Sequence, residues 1–471
     1  MLFTGKELEA CLKENFACSF LNLPSGGLPD IGEISTDSRR EMKNALFIAL
    51  DGEKFDAHDF IASAGSNGAV LVCADRKKAD KVPQNFPAIL ADSPLKVYQA
   101  LAKSFRMRFR NLKLVGLTGS CGKTSTKEAL RAILLRHAGE GKVLATEGNS
   151  NNQIGVPQNL FRLTQEHEYA IIEMGTNHFG EIRPLAETAL PDAAMVVSIG
   201  SCHLEFLRDF KGVATEKGEI FSFLPPGAPV VLPFQCPAVE VLREAAEKRT
   251  ENITTFGEEK GSDVRCTYLG GDLDGASFLL ETKDGKSVKV HSPVPGRHQA
   301  LNAAGAAAMA LALGIPLDEI GEGLAKTVLP GMRMRKTVHD GALYLNDAYN
   351  ANPDSMKASL TWLSEFADKK KTLLVLGDMG ELGENALREH IKVLSLAKEL
   401  FPSSRIICIG GMMREACEVL SLLSGGKNVE TFPDAPSAVS AVRSAARPGM
   451  MLFLKASRSM QFEKLEPPAG A

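Results

Sequence analysis

Lys113-Leu-Val-Gly-Leu-Thr118-Gly119-Ser120-Cys121-Gly122-Lys123-Thr124-Ser125-Thr126 joins an apolar, strand-like run (113–117) to a helical one (126–137). A glycine-rich turn at that junction lets backbone N–H groups wrap phosphate oxygens, at a helix N-terminus whose dipole favours anions. Lys123 is placed to neutralise terminal phosphates, and the Thr124 hydroxyl to ligate Mg²⁺. The common pattern G-x-x-x-x-G-K-[ST] would need Gly at 117, where this chain has Leu117; its glycines are Gly116, Gly119 and Gly122. The flanking strand and helix favour a phosphate loop over a chance Gly-rich turn.

Outward from the loop, apolar runs alternate with amphipathic helices at 142–145, 169–173, 193–199 and 230–232. That alternation predicts a parallel sheet. At 264–268, 276–281 and 287–291 the texture becomes alternating strands, the last two joined by a tight turn at 283–286, which predicts a small antiparallel annex. An Ala-rich helix (298–313) follows, and Val328-Leu329-Pro330-Gly331 breaks it from a third region with strands near 342–345, 372–376, 406–409 and 451–454. Residues 1–93 read as a small α/β unit, with strands at 45–50, 69–73 and 88–90 and a helix at 6–14. The expected organisation is α/β with three domains: a small N-terminal α/β domain (1–93), a central phosphate-loop parallel-sheet domain with its annex (94–329), and a Rossmann-like C-terminal domain (330–471).

A length of 471 residues implies two to four domains. Hydrophobic residues at 44% and charged ones at 24% exclude disordered and low-complexity classes. A formal net charge of −3 builds in no general attraction to nucleic acid or anionic membrane. Nine scattered cysteines without a C-x-x-C pair read as reduced thiols of a cytoplasmic protein. No export signal is expected, and the apolar run 303–313 is too short to span a bilayer of about 30 Å.

Two strand ends carry chemistry. Tyr169-Ala-Ile-Ile-Glu173 ends on an acid where a carboxylate can hold Mg²⁺, and Ser201-Cys202-His203 puts an imidazole after the next strand. Ligands of doubly wound sheets collect at that edge, although a solvated acid or histidine at a strand end is the alternative. Glu147-Gly-Asn-Ser-Asn151-Asn152-Gln-Ile-Gly-Val-Pro157 and Asp347-Ala-Tyr349-Asn350-Ala-Asn352-Pro353 are rich in amides that bond a polar ligand or, equally, serve as turn and cap residues.

Together these segments resemble the Mur ligase family of bacterial cell-wall synthesis. The matching motifs, in order, are Thr118-Gly-Ser-Cys-Gly-Lys-Thr-Ser125, 147–157, Glu173-Met-Gly, His203-Leu-Glu, Asn302-Ala-Ala, Pro330-Gly-Met-Arg333 and 347–353, over nearly the whole chain. Ile34-Ser35-Thr36-Asp37-Ser38-Arg39, Asn177-His178-Phe-Gly-Glu181-Ile and Leu376-Gly-Asp378-Met-Gly-Glu-Leu-Gly point to the branch that takes a D-dipeptide. The resemblance implies an ATP- and Mg²⁺-dependent amide ligase of cytoplasmic peptidoglycan precursor synthesis. It would add D-alanyl-D-alanine to UDP-N-acetylmuramoyl-tripeptide through an acyl phosphate, as a monomer, with no nucleic acid or membrane partner.

What the resemblance implies for residues follows from the matched positions. Thr118, Gly119, Ser120, Cys121, Gly122, Lys123, Thr124 and Ser125 would hold the triphosphate, with Asn302, Arg333 and Asp347 meeting the nucleotide from elsewhere. Thr124, Glu173 and His203 would serve Mg²⁺, joined by Lys217 if carbamylated; a plain surface lysine is the alternative there. Lys123, Glu173 and His203 would be the catalytic set. Ser35, Asp37, Ser38 and Arg39 would touch the uridine diphosphate, Asn151 and Asn152 the muramoyl group, Asn177 and His178 the peptide, and Tyr349 and Asn350 the dipeptide. Arg335 competes with Arg333 for the ATP contact. A sibling ligase adding a single amino acid, and a nucleotide switch, are the competing functions. Against a guanine switch, Thr282-Lys283-Asp284-Gly285 puts the Asp of an [N/T]-K-x-D motif one position early.

Overall fold

The computed structural model describes residues 1–52, 55–424 and 428–468; the last residues of the expected third domain, 469–471, lie outside them. Two compact units emerge: Met1–Leu114 with Leu144–Met174 and Pro184–Pro191, and Val115–Val143 with Gly175–Arg183 and Asp192–Ala471. Among the described residues no helix is long and apolar enough to cross a membrane.

In the first unit a sheet runs in the order Ser19–Leu21, Ala88–Ala91, Ala69–Asp75, Ala45–Ile48, Glu33–Ser35. Only the Ser19–Leu21 edge is antiparallel. Pro94–Arg106 is helical because Ser93 caps it, Pro94 opens it and Val97, Tyr98, Leu101 and Phe105 form one buried stripe. Tyr98 and Phe105 pack on Phe161, with ring centroids 5.6 and 5.8 Å apart.

The second unit holds strands in the order Ser287–Ser292, Gly275–Thr282, Val264–Asp272, Ile253–Gly257, Val230–Pro233, Ala193–Val196, Lys113–Thr118. Only the first two pairings are antiparallel. The expected antiparallel annex is present and continuous with the central sheet: Val264–Asp272 pairs in parallel with Ile253–Gly257 and extends that sheet's edge. A second sheet in this unit runs Arg335–His339, Ala342–Asn346, Met451–Lys455, Thr372–Gly377, Arg405–Ile409, Val429–Phe432, parallel except at its first pair. Leu374, Leu376 and Phe453 face one buried cluster with Trp362, while Leu373, Val375 and Leu452 face another with Tyr344. Burial on both faces is why these strands read as continuous apolar runs.

The short edge strands Ser19–Leu21, Glu33–Ser35, Arg335–His339 and Val429–Phe432 escape sequence reading. Arg335–His339 is mostly polar, since one edge and one face meet solvent.

The phosphate-loop helix, Lys123–Ala138, is braced by helix Leu317–Leu324, where Gly323 lies against the backbone of Ile133: a Cβ there would be 2.5 Å from the Ile133 Cα. Gly323→Ala is therefore expected to force the two helices apart and destabilise the protein by about 1–3 kcal/mol. Urea denaturation checks this; a midpoint equal to wild type would contradict the close approach.

Candidate functional site: a phosphate loop and the loops that meet it

Strand Lys113–Thr118 delivers the loop, and Gly122 caps the helix in the left-handed region (φ 79°). A Cβ at Gly122 would also lie 2.3 Å from Asn302 Oδ1, which brings the predicted Asn302 against the loop from helix Arg297–Ala312. Ser120 and Cys121 do not offer their N–H groups outward as the loop motif suggested. Ser120 N–H donates to Ser198 O and Cys121 N–H to Ser198 Oγ, both at 2.9 Å. The first internal bond of the helix runs from Thr126 N–H to Gly122 O. The opening turn of the helix carries the positive end of its dipole. Lys123 Nζ donates to Gly119 O at 2.6 Å.

The two arginines differ in their surroundings. Arg333 donates to Thr124 Oγ1 at 3.1 Å with its guanidinium 3.5 Å above the Tyr349 ring, while Arg335 pairs with Glu466 at 2.7 Å. Asp347, expected to meet the nucleotide, is already engaged: its Oδ2 accepts from Lys455 Nζ at 2.5 Å and Ser359 Oγ at 2.8 Å, with Lys455 buried. Asn350 is exposed and accepts its neighbour Ala351 N–H. Asn352, which caps helix Pro353–Phe366 as one reading of its cluster had it, and Asp354, which sequence reading left without a role, reach across to the loops: Asn352 Nδ2 to Cys121 Sγ at 3.0 Å, and Ser201 N–H to Asp354 Oδ2 at 2.8 Å. Burial pushes the Cys121 thiol up to about 11, so it stays protonated.

His203 follows strand Ala193–Val196 in the left-handed region (φ 53°), and its Nδ1 lies 2.6 Å from Glu381, itself at φ 60°. Two non-glycine residues facing each other in that region mark a site held by its surroundings. Three anchors set the Glu381 loop. Asp378 accepts Met413 N–H at 2.8 Å, His390 Nε2 accepts Met379 N–H at 2.9 Å, and Ser457 Oγ accepts Gly380 N–H at 2.8 Å. Contact with His203 holds the Glu381 carboxyl below the usual carboxylate range. Glu381 was missed as a site residue; an acid set among glycines in the motif Leu376–Gly383 was its only signal.

Lys217, on helix Phe210–Gly218, is 1% exposed, and burial lowers its amine from 10.5 to about 8, with Cys202, Lys123 and Cys121 in its electrostatic surroundings. This is no surface lysine. Its neighbour Glu216 accepts the N–H groups of Gly180, Glu181 and Ile182 at 2.7–2.9 Å. Glu181 in turn accepts Asn177 N–H at 2.7 Å and His178 N–H at 3.1 Å. The Asn177-to-Ile182 motif is thus a loop built on two carboxylates, with the Asn177 and His178 side chains exposed and His178 against Phe206.

In the first unit, Glu173 is buried at its strand end and accepts Asn151 Nδ2 at 2.9 Å. Asn152 instead accepts Ile154 and Gly155 N–H groups as a cap, so the two asparagines divide between the two readings of their cluster. Ser35 and Asp37 line a cleft with Thr36, Arg40, Gln158 and Arg162. Arg39 turns away to grip Asp37 through two 2.8 Å bonds, holding that carboxyl at about 2. Ser38, whose carbonyl accepts Asn67 Nδ2, lies outside the cleft lining. Arg40 and Arg162 are the cationic lining that sequence reading missed.

The donors suit a hard divalent cation. In the second unit Thr124 offers oxygen, and with Nδ1 of His203 against Glu381, Nε2 is its remaining ligating atom. The cluster Asp51, Asp56 and His58 is the one group of three such side chains within reach of one another among the described residues. Lys78 and Lys81 ammonium groups already sit on Asp56, at 2.9 and 2.6 Å.

Residues 117–310 match the Mur ligase middle domain, and residues 332–458 the Mur ligase, glutamate ligase domain. A UDP-N-acetylmuramoyl-tripeptide–D-alanyl-D-alanine ligase of Escherichia coli (strain K12) is 36% identical over 436 residues, 92% of each chain. The chain belongs to the Mur ligase family. Among solved structures this Mur ligase is similar to MurF from Acinetobacter baumannii, with a TM-score of 0.86 at 32% identity over 98% of this chain and 97% of that one. MurF ligase from Thermotoga maritima in complex with ADP superposes with a TM-score of 0.78 at 25% identity, over 92% and 96%.

The buried lysine has a measurable consequence. The folded value of Lys217 lies below its unfolded value, so between about pH 8 and pH 10.5 the unfolded chain binds more protons there and stability rises with pH. Relative to Lys217→Met, this Mur ligase in CO₂-free buffer is expected to gain stability between about pH 7.5 and 9.5, by at most about 1.4 kcal/mol per pH unit. Urea midpoints of both proteins check it; a constant difference would show that no such charge is buried.

Proposed function

We propose that this Mur ligase joins D-alanyl-D-alanine to UDP-N-acetylmuramoyl-tripeptide at the expense of ATP, in the cytoplasm and as a monomer. The observation that carries the reading is the meeting of Arg333, Asn302 and the His203 loop with the phosphate loop, in a chain related over nearly its whole length to ligases named for that reaction. A carboxylate is a poor electrophile. The tripeptide carboxylate attacks the γ-phosphorus of ATP, ADP leaves, and an acyl phosphate forms. The dipeptide amine then attacks the acyl carbon, losing a proton, and inorganic phosphate departs. Catalysis of this kind is positioning plus neutralisation of phosphate charge.

In this reading Gly119 and residues 122–125 cradle the triphosphate, with Ser120 and Cys121 tied to Ser198; Lys123 moves from Gly119 O to the terminal phosphates, and Arg333 supplies a second cation. Thr124, Glu173 and His203 hold Mg²⁺, which would draw charge from the phosphate oxygens. Lys217, neutral in part near pH 8, is poised to add to CO₂ and become an anionic carbamate ligand. Ser35, Asp37, Arg40 and Arg162 receive the uridine diphosphate, with Asn151 orienting Glu173, and Asn177 and His178 line the peptide's course. Tyr349 and Asn350 shape the dipeptide pocket, with the Arg333 guanidinium stacked on the Tyr349 ring. The three expected domains, 1–93, 94–329 and 330–471, remain the proposed division of labour.

Lys123→Ala is expected to abolish phosphate release while circular dichroism stays that of wild type, because the loop closes but the terminal phosphates lose their cation. Activity within a few-fold of wild type would sink the phosphate-loop role. A site built on polar contacts rejects ligands that leave its groups unpaired. D-alanyl-D-alanine is thus expected to be used at least about 100-fold better than D-alanine or L-alanyl-L-alanine, as kcat/KM. Comparable values for a single amino acid would assign the chain to a sibling ligase, and nucleotide hydrolysis without either substrate to a switch.

A further inference from the structure

Asp354 is the second residue of helix Pro353–Phe366, yet it does not cap that helix: Asn352 and Ser355 do so with a reciprocal pair of bonds. Its carboxylate points instead to the loop after strand Ala193–Val196, where Oδ2 accepts Ser201 N–H at 2.8 Å. At the preceding residue, Gly200, a Cβ would lie 2.4 Å from the same Oδ2, with its next neighbours, Asp354 Cγ and Ser120 Cβ, at 3.4 and 3.6 Å. Gly200 is not among the residues of positive φ, so its backbone tolerates a side chain. Asp354 alone excludes one. Gly200 N–H donates to Ser120 Oγ at 2.9 Å, which links this contact to the phosphate loop, and His203 lies two residues beyond Ser201.

We propose that Asp354 is a positioning residue: its carboxylate pins the Gly200–Ser201 backbone and so sets His203 and Ser120 in working register. The proposal rests on the ligase reading. It accounts for two residues at once, an acid that does not cap its own helix and a glycine without a conformational need.

The test is a five-member set: wild type, Asp354→Ala, Asp354→Asn, Gly200→Ala and the double variant Gly200→Ala/Asp354→Ala, each with steady-state kinetics and a thermal midpoint. Asp354→Ala is expected to lower kcat about 10- to 100-fold, the cost of misplacing a catalytic group, with KM for ATP within a few-fold and the melting temperature unchanged. Asp354→Asn keeps an acceptor for Ser201 N–H and is expected to retain most of kcat. Gly200→Ala, which sets a methyl against the carboxylate, is expected to fall below Asp354→Ala, and the double variant to recover to the Asp354→Ala level because the clash is gone. A purely structural role would move the melting temperature and show no such recovery. Wild-type kcat in Asp354→Ala, or a double variant no better than Gly200→Ala, overturns the positioning role and leaves the ligase reading intact. No ligated product from wild type overturns both.

Discussion

At Gly122 the chain turns into the left-handed region, and the space a side chain would fill is taken by Asn302 Oδ1, 2.3 Å from the site of the absent Cβ. The phosphate loop depends on that vacancy. It lets the strand Lys113–Thr118 pass into helix Lys123–Ala138 within four residues, and the opening turn of the helix then presents N–H groups and its dipole to an anion. Every other group argued for the site is placed by reference to this turn. Ser198 ties Ser120 and Cys121, Arg333 reaches Thr124, and Asn352 reaches Cys121.

Three charged groups in the second unit are buried. Lys217 is buried without losing its amine character altogether, Lys455 is buried on Asp347, and Glu216 is buried on three backbone N–H groups. Buried ions persist only when hydrogen-bonded or paired, or when their proton affinity shifts. Each of the three follows one of these routes. Glu216 and Lys217 are adjacent in sequence on one helix and take different ones: the acid accepts the N–H groups of the Gly180–Ile182 turn, while burial makes the lysine yield its proton more readily.

Much of the fold was legible because its causes are local. Strands covered on both faces read as apolar runs, as in Thr372–Gly377, and the Ala-rich helix and the phosphate loop carry their own patterns. Edge strands such as Arg335–His339 were not legible, since half of their environment is solvent and their pairing partner supplies the structure. The same limit applied to the site. Arg333 and Arg335 are indistinguishable as residues, and only the approach of Thr124, 209 positions away, separates them. Arg39 was the better candidate by motif, but Asp37 captures it two residues away and Arg40 lines the cleft.

What the sequence by itself determined is the chemistry available: a phosphate loop, an acid and an imidazole at strand ends, amide clusters, and a resemblance that names the reaction. Residue type and short-range spacing suffice for these, because turns, caps and strand ends are set within a few residues. What only the tertiary structure decided is which of those groups are free to act. Asp347 is held by Lys455, Lys217 is stripped of water, Glu381 stands behind His203, and Asp354 leans on Gly200. These depend on desolvation and on contacts between segments more than a hundred residues apart, and neither is encoded in any local stretch of the chain.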